Sequence, residues 1–372
     1  MLIEASAAPA TAASRPARSG HLPALTGLRF FLALWVIVDH LVGPGHAFEP
    51  YAQMFPHPIY MLIRGGYMAV TTFFVLSGFV LARTYGSTAW TPRSLWQYGV
   101  GRVARVYPVY LISLLIVSPF IVVDKTPLKG WLVAMHLTLT QGWFVGHYKV
   151  GWNIAAWTLS VEMFFYLMFP LLILPLRGAG WWKTLSAAAL ATVLVRIMWR
   201  LGVSDNLKPV IHLADFLIGI CASNVFDLLT RRGKAPAGWW LYVPGFLGVA
   251  GLIAYPQLLP SSVDLNTAIR PFNALLLVGL GLGGGWIARP LSARPIVYMG
   301  KASYAMYILH IPLLWWAVGW RIPYATQIYV IVVMALAAVV YHWVEEPANR
   351  YLRGKVATPR VMAPERARAV GA

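Results

Sequence analysis

The sequence predicts an all-α, polytopic membrane protein with about ten transmembrane helices. Hydrophobic residues make up 59% of its 372 positions and charged residues only 11%, which is too apolar for a soluble protein of this size. The apolar runs are long and do not alternate with polar residues, so they predict helices rather than barrel strands. Short clusters of Lys and Arg lie between the runs and contribute to a formal charge of +18. This placement is typical of cytoplasmic loops, and no nucleic-acid partner is expected.

Ten apolar runs are candidates for helices that cross the bilayer, surrounded by membrane lipid. They are 27–44, 66–84, 107–123, 156–176, 181–200, 209–229, 239–259, 268–288, 300–320 and 324–345. With the N-terminus inside, most basic residues between these runs face the cytoplasm, as the positive-inside rule requires. The sequence therefore predicts a multi-pass protein of the inner (plasma) membrane with both termini in the cytoplasm.

An eleventh apolar run, residues 131–145, is short and carries His136 and Gln141. Counting it as a span would move the basic cluster 231–234 to the outside of the cell, against the positive-inside rule. We therefore expect a re-entrant or outer-surface segment here, because irregular backbone is tolerated at membrane depth where it lines a cavity.

The two ends of the chain differ from the middle. Residues 1–24 are rich in Ala, Pro and Ser, and residues 351–372 are basic and lack a hydrophobic period. We expect disordered cytoplasmic tails on either side of one membrane domain, 25–350, with no further soluble domain. The single cysteine, Cys221, lies in an apolar run, excludes an intrachain disulfide and is expected to pack as a small hydrophobic residue.

Arg29 and His40 lie eleven residues apart in the first apolar run. Eleven helical steps come to about three full turns, so both side chains point the same way, about 16 Å apart along the helix. An imidazole can act as a general base, and a guanidinium at the cytoplasmic boundary can bind a phosphate-bearing ligand. The alternative is a basic anchor at the membrane boundary and a histidine that only packs.

Two further charged groups accompany the first. Arg102 and Arg105, at the entrance to the third span, share a helix face and form either a topology anchor or, with Arg29, a site for a polyanion. Glu162 lies inside an apolar span, where a carboxylate is costly unless it is paired or functional. It could orient a histidine, bind a hydroxyl group, or pair with a buried basic side chain.

Polar residues also mark the last two spans. Ser303, Tyr307 and His310 follow one another at helical spacing and form one polar stripe. Glu345 precedes a proline at the end of the last span, where an inner-surface boundary is the favoured interpretation. The sequence lacks zinc-binding, P-loop and nucleophile-elbow motifs, so no metal is expected.

Six motifs in this order resemble the acyltransferase-3 family of integral-membrane O-acyltransferases. They are Arg29-x10-His40, the segment 66–79 with Ser77, Arg102-x-x-Arg105, the segment 157–162 with Ser160 and Glu162, the segment 303–310, and Glu345-x-Pro347. Each motif is weak alone, but together they cover nearly the whole chain.

The resemblance implies a ten-helix domain that moves an acyl group, usually acetyl, from cytoplasmic acyl-coenzyme A to a hydroxyl group. Arg29, Arg102 and Arg105 would then bind acetyl-CoA, His40 would take the hydroxyl proton, and Glu162 would orient His40 or the acceptor. The remaining candidates for acceptor-site or structural roles are Ser77, Ser160, Ser303, Tyr307, His310 and Glu345. Transfer could be direct or could pass through an acyl-enzyme on His40 or Ser160.

The sequence does not fix the chemical identity of the acyl acceptor. A hydroxyl of a cell-surface or exported glycan is the leading expectation, and a small secondary metabolite such as a macrolide is the alternative. A membrane transporter or flippase would also have about ten spans with charges inside them. The sequence shows no internal repeat of the kind that transporters often contain, which argues against that class.

Overall fold

The structure is a computed structural model, and it describes residues 22–43, 48–123, 129–144, 152–203, 207–231, 235–319 and 324–356. Within these ranges the regular structure is entirely helical, which confirms the predicted all-α class. Most of the two predicted tails, residues 1–21 and 357–372, lies outside the described residues.

Fifteen α-helices are described, together with short 3₁₀ turns and one π-helical turn, Tyr341–Glu345. The α-helices are α1 (Pro23–Leu41), α2 (Glu49–Gln53), α3 (His57–Arg64), α4 (Ala69–Tyr85), α5 (Pro92–Val123), α6 (Gly130–Leu137), α7 (Trp157–Leu176), α8 (Trp181–Arg200), α9 (Lys208–Thr230), α10 (Trp239–Ala254), α11 (Ser262–Leu282), α12 (Gly285–Leu291), α13 (Arg294–Gly319), α14 (Ala325–Val340) and α15 (Glu346–Val356).

Seven helical segments of the described chain are long and apolar enough to cross a membrane. They are Pro23–Leu41, His57–Tyr85, Pro92–Ile121, Ile154–Leu176, Lys208–Thr230, Leu265–Leu282 and Gln327–Lys355. The protein is therefore an integral membrane protein by the length and composition of its helices.

The other three predicted spans correspond to α8, α10 and α13, and the count of ten stays a prediction for them. Helix α8 carries Lys183, Arg196 and Arg200, which lower its mean hydropathy. Helix α10 is apolar but has only 16 residues. Helix α13 is long enough, at 26 residues, but it contains the predicted polar stripe.

Helix α5 begins earlier than the sequence predicted, because its start is capped. The backbone N–H of Thr91 donates to the Ser94 hydroxyl at 2.8 Å, and the N–H of Ser94 donates back to the Thr91 hydroxyl at 3.2 Å. Pro92 occupies the first helical position, where a proline is well tolerated. Arg102 and Arg105 therefore lie well inside a helix of 32 residues, which begins 15 residues before the predicted span 107–123.

The boundaries of two more helices differ from those that the sequence predicted. Helix α1 begins at Pro23, so Arg29 lies almost two turns into the helix rather than at its first turn. Helix α15 extends to Val356, six residues into the predicted C-terminal tail. Its last turn contains Arg353 and Lys355, and basic residues at this end interact favourably with the helix dipole.

The predicted re-entrant segment contains α6, a helix of eight residues. Such a helix is about 12 Å long, too short to cross a hydrocarbon layer of about 30 Å. His136 on this helix is buried and stacks on Trp152, with ring centroids 4.6 Å apart. Burial lowers the pKa of His136 to about 4, so its ring stays neutral and serves as packing at neutral pH.

Close helix contacts in the centre of the molecule depend on glycine. Helix α4 packs against α9, and a Cβ added at Gly219 would lie 1.9 Å from the Val75 carbonyl oxygen. Helix α1 packs against α13, and a Cβ at Gly300 would lie 1.9 Å from the Thr26 carbonyl oxygen. Small residues at such contacts let the backbones approach closely, and they fix α1 and α4 beside the helices that complete the site.

Candidate active site

A narrow cavity lies between α1, α4, α7 and α13. It leaves about 50 Å³ for the centres of water-sized molecules. Its lining contains two charged side chains, Arg29 and Glu162, among aromatic and apolar groups. The full lining is Arg29, Val70, Phe73, Phe74, Thr158, Leu159, Glu162, Ser303, Tyr304 and Tyr307. The structure thus brings together residues from four of the six motifs that the sequence singled out.

Glu162 interacts with one tyrosine and with nearby arginines. The Tyr166 hydroxyl, one turn further along α7, donates a hydrogen bond of 3.2 Å to Glu162 Oε2. Among the neighbouring cations Arg29 attracts the Glu162 carboxylate most strongly, followed by Arg105 and Arg102. One carboxylate is therefore shared by three guanidinium groups, which gives this part of the protein a high density of positive charge.

Arg102 lies in an aromatic cage beside this cavity. Its Nη2 donates to the Tyr85 hydroxyl at 3.2 Å, and its guanidinium carbon is 5.4 to 5.7 Å from the ring centroids of Tyr85, Tyr98 and Tyr166. Arg102 and Tyr166 also line a wider groove between α5, α7 and α15. This groove leaves about 640 Å³ for the centres of water-sized molecules. Tyr166 therefore connects Arg102 and the groove to Glu162 and the cavity.

Arg105 has a different environment from Arg102. Its guanidinium forms an ion pair with Glu345 of the π-helical turn and lies 5.5 Å from the ring centroid of Tyr304. Glu345 is fully buried within the protein, and the sequence did not predict this ion pair; its place at the inner membrane boundary stays a prediction. A carboxylate at membrane depth is stabilised by a paired cation, and the partner lies on a helix more than two hundred residues away in the sequence.

Among the described residues, neither Arg29 nor Arg102 has a carboxylate of its own. Glu345 balances Arg105, which leaves the single charge of Glu162 against two guanidinium groups. The Nε atoms of both arginines are buried and make no hydrogen bond within the described structure. Buried cations with free donors are costly unless an anion binds to them, so this cluster is suited to an anionic ligand.

His40 lies near the opposite end of α1 from Arg29. Its Nδ1 donates to the Val36 carbonyl oxygen at 2.8 Å, because a carbonyl oxygen only accepts hydrogen bonds. This bond leaves the lone pair on Nε2, the state that a general base needs. Asp39 points away from His40 in the helix and forms an ion pair with Arg64 at 2.5 Å.

The other predicted site residues divide into two groups. Ser303 and Tyr307 line the cavity, and the Tyr307 hydroxyl donates to the Ala155 carbonyl oxygen at 3.4 Å. Ser77 and Ser160 are buried but do not belong to the lining. The Ser160 hydroxyl accepts a hydrogen bond of 2.9 Å from the Gly142 N–H, which is a structural contact between α7 and the segment after α6.

Sequence reasoning missed the role of Tyr166 and an ion-pair cluster elsewhere in the core. Tyr166 could have been found, because it lies four residues after Glu162 and thus on the same helix face. In the cluster, Asp215 accepts from Arg270 Nε at 2.5 Å and from His212 Nδ1 at 2.7 Å. A carboxylate inside an apolar span predicts such a partner, but the sequence does not say which of several basic residues it is.

The described residues contain no group of three His, Cys, Asp or Glu side chains that could hold a metal ion. The side chains suited to a ligand are instead the two arginines that lack a carboxylate of their own, Arg29 and Arg102. They are suited to phosphate or carboxylate groups because a guanidinium offers several donors in a fixed plane.

The fold and this site define an integral membrane protein with a charged, ligand-accepting centre between its helices. The sequence model of the acyltransferase-3 family, described as an acyltransferase domain, matches residues 22–344. The chain belongs to this family, as its motifs predicted, and is an O-acyltransferase.

Three curated relatives illustrate the range of the family. The chain is 27% identical to "Acyltransferase MdmB" of Streptomyces mycarofaciens, and the match covers 79% of each protein. It is 22% identical to "O-acetyltransferase OatA" of Staphylococcus aureus, covering 89% of this chain and 57% of the relative. It is 24% identical to "Putative peptidoglycan O-acetyltransferase YrhL" of Bacillus subtilis, covering 88% and 55%. No solved structure matches the chain.

Proposed function

We propose that the acyl donor is acyl-coenzyme A and that the group transferred is acetyl. The observation that carries this proposal is the unbalanced positive charge of Arg29 and Arg102, whose buried Nε atoms have no partner in the described structure. Coenzyme A carries several phosphate groups, and Arg is well suited to bind them. Arg105 contributes positive potential to the same site while its own charge is balanced by Glu345.

The two spaces beside Tyr166 support this donor. The wide groove that Arg102 lines could accept the bulky nucleotide end, and the narrow cavity that Arg29 and Tyr307 line could accept part of the pantetheine arm on its way towards His40. The distance of about 16 Å along α1 between Arg29 and His40 is suited to the extended pantetheine arm.

His40 is the proposed general base. The O–H bond of the acceptor breaks as its proton moves to His40 Nε2, and the oxygen forms a bond with the thioester carbonyl carbon. The C–S bond then breaks, and the leaving sulfur takes up the proton to give free coenzyme A. Glu162 accepts a hydrogen bond from Tyr166 and lines the same cavity as Arg29, whereas His40 is not in that lining, which favours binding of a substrate group over orientation of His40.

The proposed acceptor is a hydroxyl group of a cell-surface or exported glycan. The names of two relatives support it, since both are described as O-acetyltransferases and one as acting on peptidoglycan. We place the enzyme in the inner membrane with both termini in the cytoplasm, where acyl-coenzyme A is present.

A second candidate acceptor is a small secondary metabolite such as a macrolide. One relative that the chain matches over 79% of each protein is named only as an acyltransferase, without a glycan in its name, so a second class of acceptor is kept. The chemistry at His40 would be the same, because both acceptors present a hydroxyl group.

The test uses acetyl-CoA with a radiolabelled acetyl group and membranes from the source cell, in which the protein is either present or deleted. We expect label in a product that releases acetate in mild alkali, as an oxygen ester does, and no such product without the protein or with His40→Ala. Label in the glycan fraction supports the first acceptor, and label in a solvent-extracted small molecule supports the second. Equal labelling with and without the protein would contradict the proposal.

A further inference from the structure

Arg353 is a third arginine beside the wide groove. It lies in the last turn of α15, the helix that packs against α5. Its guanidinium faces Gly101, the residue before Arg102, because a Cβ added at Gly101 would lie 3.5 Å from Arg353 Nε and 3.8 Å from Nη2. Leu352, the preceding residue, belongs to the lining of the groove. Arg353 is therefore at the edge of the groove, next to the turn of α5 that carries Arg102.

The other basic residues of α15 have partners on their own helix. Arg350 pairs with Glu346 at 3.0 Å, and the Lys355 ammonium lies 4.5 Å from the ring centroid of Tyr351. Arg353 differs from both, since its side chain turns towards α5 and forms no ion pair within the described residues. The helix dipole favours a basic residue in this turn, but it does not explain a side chain that is directed towards another arginine.

Arg353 and Arg102 are close enough to repel each other. The other titratable group that acts on Arg353 is the Tyr85 hydroxyl, which accepts a hydrogen bond from Arg102. Neither neighbour is a carboxylate. Two guanidinium groups of like charge raise the free energy of the empty site, and an anion bound beside both of them offsets this repulsion. The edge of the groove is therefore suited to a ligand with more than one negative charge.

The two arginines differ in exposure, which indicates the part of the donor that each one meets. Arg102 is partly buried in its aromatic cage, whereas Arg353 is exposed. Coenzyme A carries a diphosphate, from which the pantetheine arm extends, and a separate phosphomonoester on the 3′ oxygen of its ribose. When the arm points into the protein, the diphosphate lies deeper and the phosphomonoester lies nearer the solvent. This order matches the phosphomonoester with Arg353.

We propose that Arg353 binds the 3′-phosphomonoester of coenzyme A and makes the enzyme select this donor over its dephospho form. The proposal rests on the proposed function, in which the acyl donor is acyl-coenzyme A. A phosphomonoester carries close to two negative charges at neutral pH, and a guanidinium can donate two parallel N–H bonds to its oxygen atoms. Arg353 contacts the donor far from the thioester, so it affects donor binding and takes no part in the transfer of the acyl group.

The test compares the binding of coenzyme A and 3′-dephospho-coenzyme A to full-length protein in maltoside micelles, which contain no phosphate. The ratio of the two Kd values is measured for the wild type, Arg353→Gln and the control Arg350→Gln, one turn away on the same helix. We expect the wild type and the control to bind coenzyme A about 5- to 20-fold more tightly than the dephospho form. Arg353→Gln should lose most of this preference and keep the wild-type Kd for the dephospho form.

Steady-state kinetics give a second measurement of the same role. Arg353→Gln should raise KM for acetyl-CoA and leave kcat at saturating donor unchanged, because the contact is made equally in the bound ground state and in the transition state. A lower kcat with unchanged KM would contradict a role in donor binding.

The failures of the two proposals are distinguishable. A wild type that binds both forms equally, or an unchanged preference in Arg353→Gln, would overturn the role of Arg353 and leave the proposed donor standing. A wild type that binds neither form would contradict the proposed donor itself. The first comparison needs no variant, so the test does not depend on the folding of Arg353→Gln.

The phosphate of a membrane lipid offers the same chemistry as the phosphomonoester. Addition of phosphatidylglycerol to the micelles separates the two sources. If this lipid raises the melting temperature of the wild type but not that of Arg353→Gln, and the preference for coenzyme A is the same in both, Arg353 binds lipid and the proposal is overturned. We expect the lipid to raise both melting temperatures equally.

Discussion

Arg29 and Arg102 differ from Arg105 in the amount of negative charge that lies beside them. Arg105 is paired with a buried glutamate, whereas Arg29 and Arg102 share Glu162. An ion pair between two helices stabilises the fold. A cluster whose positive charge is only partly balanced can be neutralised by an anionic ligand. At the scale of single residues, the three predicted cofactor-binding arginines therefore divide into one with a structural partner and two available for a ligand.

Tyr166 supplies a conservative test of this cluster. We expect Tyr166→Phe to lower acetyl transfer about 10-fold, because the change removes the hydrogen bond to the Glu162 carboxylate and keeps the ring against Arg102. The measurement is transfer of labelled acetyl by purified protein in lipid nanodiscs.

The control for Tyr166→Phe is Tyr298→Phe, which removes a hydroxyl bonded to the Ala338 carbonyl oxygen far from the cavity. We expect near wild-type transfer from the control. Full activity of Tyr166→Phe would show that the hydroxyl has no part in positioning Glu162.

The sequence predicted which helix carries some of the candidate site residues, but it could not predict their neighbours on other helices. The spacing of Arg29 and His40 places them on one helix face, and both lie on α1 as the spacing required. The pairing of Arg105 with Glu345, and the contact of His40 with His310, join helices that are distant in the chain. Helical periodicity gives the direction of a side chain within its own helix, but it does not give its neighbour on another helix.

At the scale of helices, the glycine contact between α4 and α9 is as close as that between α1 and α13. We expect Gly219→Ala to destabilise the protein by about 1 to 3 kcal/mol, because its Cβ would meet the Val75 carbonyl oxygen at 1.9 Å. Thermal unfolding in detergent measures the loss.

Gly251→Ala on α10 is the matched control for this substitution, since a Cβ there meets nothing within 4 Å. It should leave stability unchanged or raise it by up to about 1 kcal/mol, because Ala favours helix. Equal melting temperatures for Gly219→Ala and the wild type would show that the two helices can separate without cost.

Helix boundaries were less predictable than helix positions. The capping residues Thr91 and Ser94 lie in a polar stretch ahead of the apolar run, so hydropathy alone placed the start of α5 too late. Glu345 illustrates a second limit, because the sequence does not name its partner, Arg105, on a distant helix. In both cases a specific polar contact outweighs the average hydropathy of a segment.

At the scale of the whole molecule, the number of spans is the open structural prediction. Helix α8 is the first of the three open spans, and the ten-span arrangement places Gly180 in the cytoplasm and Leu201 outside, on either side of this helix. We expect Leu201→Cys to react with a membrane-impermeant maleimide on intact cells, and Gly180→Cys to react only after lysis. Leu201 is exposed, and a side chain at Gly180 meets no neighbour within 4 Å.

Both variants for the topology test are made in a Cys221→Ala background, and Cys221 is itself buried. Reaction of the two positions from the same side would show that α8 does not cross the membrane. The ten-span arrangement would then be wrong, and the positions of the following loops would be reversed.

The central claim is that Arg29 and Arg102 bind the phosphate groups of the acyl donor. Equilibrium binding of coenzyme A to purified protein tests it most directly, with Arg102→Gln compared with Arg350→Gln, a control whose exposed side chain pairs with Glu346 on the surface. We predict that Arg102→Gln raises the Kd about 10- to 100-fold and that Arg350→Gln changes it little. Coenzyme A binding of equal strength in the wild type and Arg102→Gln would contradict the claim.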